Sequence, residues 1–380
     1  MTRQRLPQID LLRGSIMILM ALDHMRDFFD SDALIYSPTD LTKTYPFLFL
    51  TRLITHFCAP GFVFLAGISA YLWGRDQTRR DQFLYLFTRG IWLILFDAII
   101  ISPVWTLEFG RYSLGALWAI GSSMIALSLL VFIDRRIILT IGLIIIFGHD
   151  LFDHVKAADL GLYANIWHIL HEQGVLPFGL NGKVYYPILP WIGIMAFGYG
   201  IGAYFYPSHG ENRKFIGLLG LLCCVAFIVL RAINGYGDPN PWQEQPSTIM
   251  SVLSFLNVSK YPPSLLYCLF TLGPLMILLS ATSSLRGSIA QKIIVFGRVP
   301  FLFYFLHLYV GILGAILLAF LQGYDFTNFQ QEQIFRAPPK GLGLEGSYLV
   351  WMCEVILLYP LCKWFADLKS RNKSPWLRYL

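Results

Sequence analysis

The chain has 380 residues, 56% of them apolar and 14% charged, with a mean hydropathy of +0.57. Soluble domains carry about 25% charge, so a soluble globular protein is excluded, and apolar runs of about 20 residues favour helices over the short alternating strands of a barrel. The net charge of +6 is spread through short loops rather than clustered with aromatics, which gives no nucleic-acid signal, and the six cysteines form no CxxC pair that would suggest zinc or a disulfide framework.

These features predict an all-α, polytopic membrane protein built as one domain over residues 1–380, with the lipid bilayer as its first partner. Ten transmembrane helices are expected, at 9–29, 53–74, 83–104, 115–133, 137–153, 187–206, 215–233, 262–282, 295–320 and 347–367. The first follows a basic start, MTRQR, as a signal peptide would. It has no small-residue cleavage site and carries Arg13, Asp23 and His24, so it reads as a retained helix. With the N-terminus inside, the inner segments hold Arg3, Arg5, Arg75, Arg79, Arg80, Arg135, Arg136, Arg213, Lys214, Arg286, Lys292, Lys369, Arg371, Lys373 and Arg378. The outer loops are poor in Lys and Arg for their length, so both termini are expected in the cytoplasm. Three outer loops, 30–52, 154–186 and 234–261, are long enough to suggest function, and LYANIWHILHEQG within the second reads as a short interfacial helix.

Polar residues interrupt several spans. In the first, IDLLRGSIMILMALDHMRDFF, Arg13 and His24 are eleven positions apart, three turns, on nearly one face and about 16 Å apart along the axis. A buried cation and imidazole on one stripe suggest anion binding and proton transfer; a snorkelling Arg and a structurally bonded His are the plainer alternative. Asp10, one turn before Arg13, is a second candidate partner for it. The second span carries Arg52 and His56 one turn apart, with Pro60 expected to kink the helix and free a carbonyl. In the third, Arg89 and Asp97 are each expected to pair with another helix. HDLFDH (His149 to His154) and HILH (His168, His171) hold metal-type residues at poor spacing, and no metal site is expected. Lys260 and Tyr261 in LNVSKYPPSLLY are expected at the outer mouth, with Pro262 and Pro263 starting the eighth span. The ninth, GRVPFLFYFLHLYVG, has Arg298 near its inner end, His307 at mid-membrane and Tyr304 one turn from His307. Three spans that each carry an Arg and a His argue for one polar cavity among them.

The segments DLLRG…ALDHMRDFF, FCAPGFVFLAGISAYL, LPWIGIMAFGYGIG, LNVSKYPPSLLY and GRVPFLFYFLHLYVG resemble the bacterial proteins grouped with the catalytic domain of heparan-alpha-glucosaminide N-acetyltransferase. The Arg-x10-His pattern of Arg13 and His24 is similar to the first-helix motif of the acyltransferase-3 proteins. The resemblance implies transfer of an acyl group, acetyl in the first place, from cytosolic acyl-CoA to a glycan or lipid-linked acceptor beyond the membrane. It also implies a multi-pass protein of the bacterial inner membrane. One departure stands out. The lysosomal enzyme is thought to use a histidine in the loop after this helix, whereas residues 25–55 here contain none and His24 stands where that enzyme has Asn. No luminal domain is expected ahead of the first helix, and heparan sulfate is not the expected acceptor.

The site expected from these residues has His24 as general base, oriented by Asp27 or Asp23, with His56 and His307 as acceptor-orienting groups or alternative bases. Arg13, Arg52 and Arg298 would hold coenzyme A, and Asp23, Lys260, Tyr261 and Tyr304 would meet substrate. The alternative is a transporter or flippase that uses the same polar groups as a path. A homo-oligomer is left open.

Overall fold

A computed structural model describes residues 6–176, 179–205, 210–282, 287–324, 341–372 and 374. Of the basic residues used for orientation, Arg3, Arg5, Arg286, Lys373 and Arg378 lie outside the described residues. Along the chain the helices are α1 (Pro7–Phe29), α2 (Pro46–Thr55), α3 (Cys58–Gly74), α4 (Arg79–Phe96), α5 (Ser102–Thr106), α6 (Ala116–Leu130), α7 (Arg135–Gly148) and α8 (Ala164–Leu170). They continue as α9 (Leu189–Ile201), α10 (Gly210–Ile233), α11 (Thr248–Leu256), α12 (Leu265–Ala281), α13 (Ser288–Arg298), α14 (Pro300–Leu321) and α15 (Gly343–Arg371).

The fold is helical, as the composition requires, with one small addition. Strands β1 (Tyr112–Leu114), β2 (Gly174–Val175) and β3 (Gly182–Val184) form a sheet of order β1-β3-β2, with β1 and β3 parallel and β2 and β3 antiparallel. The sheet closes over a small core of Leu114, Leu176 and Val184. Two of its strands, together with α8, give order to the long loop 154–186.

Among the described residues, five helical stretches are long and apolar enough to cross a membrane: Pro46–Gly74, Arg79–Thr106, Asn212–Ile233, Pro300–Leu321 and Gly343–Arg371. A sixth is added if Arg135–Phe152 and Ala157–Leu170, bent by 113°, count as one span. The remaining expected spans fall short of that standard for two reasons. Ala116–Leu130, Leu189–Phe205 and Leu265–Ala281 are apolar but have only 10–17 residues. Helix α1 is long enough but carries Asp10, Arg13, Asp23, Arg26 and Asp27.

Prolines place several breaks. The expected second span is divided at His56 and Phe57 into α2 and α3. His56 stands four residues before Pro60, where the proline ring meets the carbonyl of the preceding turn. The expected ninth span is divided at Val299, because Pro300 opens α14 and its predecessor cannot hold a helical conformation easily. Arg298 therefore ends α13 rather than starting the helix of His307. Helix α12 starts at Leu265, after Pro262 and Pro263 rather than on them.

The chain divides into two compact units, Met1–Cys58 with Glu244–Asn257 and Thr282–Leu380, and Ala59–Gln243 with Val258–Ala281. In the first, α1 is central: it packs on α2, α13, α14 and α15. Helices α1 and α13 meet through Gly14 and Gly297; a Cβ at Gly14 would collide with the Ile293 carbonyl, and one at Gly297 with that of Asp10. Small residues that let backbones approach are the usual glue between membrane helices. In the second unit α4 packs on α6, α7 on α9 and α10 on α12. There Asp97, in a π-helical turn after α4, accepts from the backbone N–H groups of Gly115 and Trp118 at 2.9 and 3.1 Å, so it caps a different helix as expected. Arg89 donates to the Tyr85 hydroxyl on its own helix at 3.2 Å.

Candidate functional site: a histidine pair between two helices

The first unit brings His24 of α1 and His307 of α14 into contact. His24 Nδ1 lies 2.7 Å from His307 Nε2, and the rings stack at 5.0 Å. His307 Nδ1 lies 2.8 Å from the Phe303 carbonyl of the preceding turn. A carbonyl oxygen only accepts, so this nitrogen carries the proton. In neutral His307 the lone pair is then on Nε2, and the proton shared with His24 belongs to His24 Nδ1. Neutral His24 is left with its lone pair on Nε2, the arrangement a general base requires. The two rings differ in exposure: His307 is fully buried, whereas His24 is only half-buried. Tyr304 stands edge-on to His24 at 6.4 Å and packs on His307 at 5.6 Å.

The same turn of α1 holds an ion cluster. Asp23 pairs with Arg52 of α2 and with Arg26 at 3.0 Å, and accepts from Thr55 Oγ1 at 2.9 Å. Arg26 also binds Asp27 at 2.6 Å. Arg26 is 2% exposed, so the pairing is what makes its burial tolerable. Arg26 has one sign in the sequence, its spacing of three from Asp23, which places the two on one helical face. Asp27, expected to orient His24, is bonded to Arg26, and His307 takes the orienting place at Nδ1. His56 ends α2 with Nδ1 2.7 Å from the Arg52 carbonyl, which fixes its neutral tautomer in the same way, and it is buried.

About three turns away along α1, Arg13 donates to Asp10 at 3.0 Å and to the Gly297 carbonyl at 3.2 Å. The next residue, Arg298, is exposed. Arg13 and Arg298 thus share one end of the α1–α13 pair. Arg52 stands with Asp23 at the other end, so the structure gathers two of the three expected coenzyme A ligands and separates the third. Lys260 and Tyr261 belong to the second unit, where Lys260 Nζ lies 5.2 Å from the Tyr261 ring centre and Tyr261 donates to the Tyr186 hydroxyl at 3.3 Å.

The family model described as heparan-alpha-glucosaminide N-acetyltransferase, catalytic, matches residues 5–227, more than half of the chain. The chain belongs to that family. It is an acetyltransferase family, and the apolar helices make this a membrane-embedded member. The match includes Arg13, His24, Arg52 and His56, while His307, Arg298, Lys260 and Tyr261 lie beyond it. No curated protein matches the chain. Among the described residues no group of three or more His, Cys, Asp and Glu side chains is placed to hold a metal ion.

Proposed function

We propose that the protein moves an acetyl group from cytosolic acetyl-CoA to an amine or hydroxyl of a glycan or lipid-linked acceptor at the far face of a bacterial inner membrane. The wider kinship is with the acyltransferase-3 proteins, whose Arg-x10-His motif Arg13 and His24 repeat. The observation that carries this reading is the His24–His307 contact. Its hydrogen-bond chain leaves a basic nitrogen on the more exposed ring, in a chain whose family transfers acetyl groups.

In this reading His24 Nε2 removes the acceptor proton as the acceptor attacks the thioester carbonyl. His307 is a positioning residue: it holds the His24 ring and tautomer, and it is well placed to share the charge when His24 becomes imidazolium. Tyr304 bounds the acceptor side of the pair. Arg13 and Arg298 supply positive charge at one end of α1 for the phosphates of coenzyme A. Arg52 and Arg26 hold Asp23 and Asp27 in place. Asp23 and His56 line the α2 side.

Purified protein in detergent or liposomes, given radiolabelled acetyl-CoA and either glucosamine or an extract of its own membrane glycolipids, tests the reading. Transfer of label that depends on His24 supports it. Unchanged transfer in His24→Ala would remove His24 as the base.

A further inference from the structure

Helix α15 carries one acid deep in an apolar stretch. Glu354 stands near the middle of Gly343–Arg371, is 4% exposed, and among the described residues neither carboxyl oxygen has a hydrogen-bond partner. It belongs to the inward stripe of that helix with Leu344, Ser347, Leu358, Cys362 and Phe365. An ionised carboxylate in such a place would cost several kcal/mol without a partner, so the group is neutral and holds a proton. Ionisable residues inside a membrane protein's bundle mark proton paths and reaction sites more often than packing.

The level of Glu354 follows from the contacts of its helix. The Leu342 N–H donates to the Phe29 carbonyl at 2.8 Å, and Trp351 Nε1 donates to the Ile18 carbonyl at 2.8 Å, so α15 runs antiparallel to α1. One turn past Trp351, Glu354 lies on the Arg13 side of Ile18. Its backbone is roughly 13 Å from that of His24 along the axis, at about 1.5 Å per residue. Helical side chains lean toward their own N-terminus, so on an antiparallel pair these two lean toward each other.

The charged and titratable groups on the helices packed against α15 are already engaged or lie outside. Asp10 and Arg13 of α1, the nearest in level, bind each other. Asp23, Arg26 and Asp27 of α1 and Arg52 of α2 form the ion cluster, with His56 at the end of α2 bonded to the Arg52 carbonyl. His24 and His307 bind each other, Tyr304 and Tyr309 are on α14, and Lys292 and Arg298 of α13 are exposed.

Resting on the acetyltransferase reading, we propose that Glu354 is the proton donor to the departing coenzyme A sulfur. The acceptor N–H or O–H loses its proton to His24 Nε2, the new C–N or C–O bond forms, the C–S bond breaks, and the sulfur takes the Glu354 proton. Glu354 regains a proton from water, and His24 releases its own to water, so one proton enters and one leaves per turnover. The transfer passes the negative charge from the departing sulfur to Glu354, and reprotonation of Glu354 from water then removes that charge from the apolar bundle.

Two readouts on the full-length protein test the proposal. Dicyclohexylcarbodiimide, an apolar reagent that attacks protonated carboxyls, should label the peptide containing Glu354 at neutral pH and should not label that peptide in Glu354→Gln. Glu354→Gln should lower kcat about 10²-fold with acetyl-CoA, the scale of a lost general acid, with KM for the donor unchanged. The loss should vanish with the acetyl thioester of thionitrobenzoate, whose acidic thiol leaves without a proton, with glucosamine as acceptor in both cases. Absence of labelling, or an equal loss with both donors, overturns the proposal. Wild-type protein active with acetyl-CoA beside an unimpaired Glu354→Gln overturns this step alone. Wild-type protein that uses neither thioester overturns the acetyltransferase reading and this step with it.

Discussion

His24 and His307 are 283 positions apart in sequence and 2.7 Å apart in space, and each has a defined tautomer through the Phe303 carbonyl. His24→Ala should lower acetyl transfer by about 10²–10⁴-fold with folding intact, the usual range for a lost general base. His307→Ala should also reduce turnover, but by loss of orientation; the sign of that role is a shifted pH profile for the remaining His24, which a purely structural histidine would not give. Arg13→Ala should chiefly raise the KM for acetyl-CoA, since about three turns of helix separate it from His24. Arg298→Ala, which leaves the Gly297 carbonyl that Arg13 meets in place, should do the same and separates donor binding from helix packing. The histidines and arginines were legible in the sequence because ionisable residues are conspicuous in apolar spans. Their pairing was not. The helical wheel of α1 pointed to Asp27 as the partner of His24, and only the packing of α14 on α1 shows that His307 takes that place. Arg26 was missed because it sits at the end of a span, where a snorkelling cation attracts no notice.

At the scale of the element, α1 is held by close backbone contact as well as by charge. Gly14→Leu should place a side chain against the Ile293 carbonyl and Gly297→Leu one against that of Asp10. Each should destabilise the protein by about 1–3 kcal/mol, as overpacking does. A lowered melting temperature in detergent checks this, with Gly148→Ala, which meets nothing within 4 Å, as the tolerant control. Helix positions followed from the apolar runs, whereas their breaks depended on backbone geometry. The π-helical turn at Asp97 leaves no mark on hydropathy. The division at His56 follows a signal that was visible, Pro60, but its effect fell a full turn upstream. The division at Val299 moved Arg298 onto a different helix from His307, and so changed what that arginine can reach.

For the molecule as a whole, hydropathy gave the helical membrane class, and the ten spans stay an expectation. Five or six stretches meet the length and apolarity of a span among the described residues, against ten expected. Leu265–Ala281 is outside that count by its length, and α1 by its charged residues. The Lys and Arg bias still predicts that both termini face the cytoplasm. Reporter fusions should therefore be active as cytoplasmic reporters at the C-terminus and as external reporters within 154–186; the reverse pattern would invert the assignment of donor and acceptor sides. The most direct test of the account is the transfer of labelled acetyl from acetyl-CoA by purified wild-type protein and His24→Ala, each checked for folding. The account predicts label on the acceptor with wild type and a loss of about 10²-fold or more with the variant. Equal transfer by both proteins would contradict it.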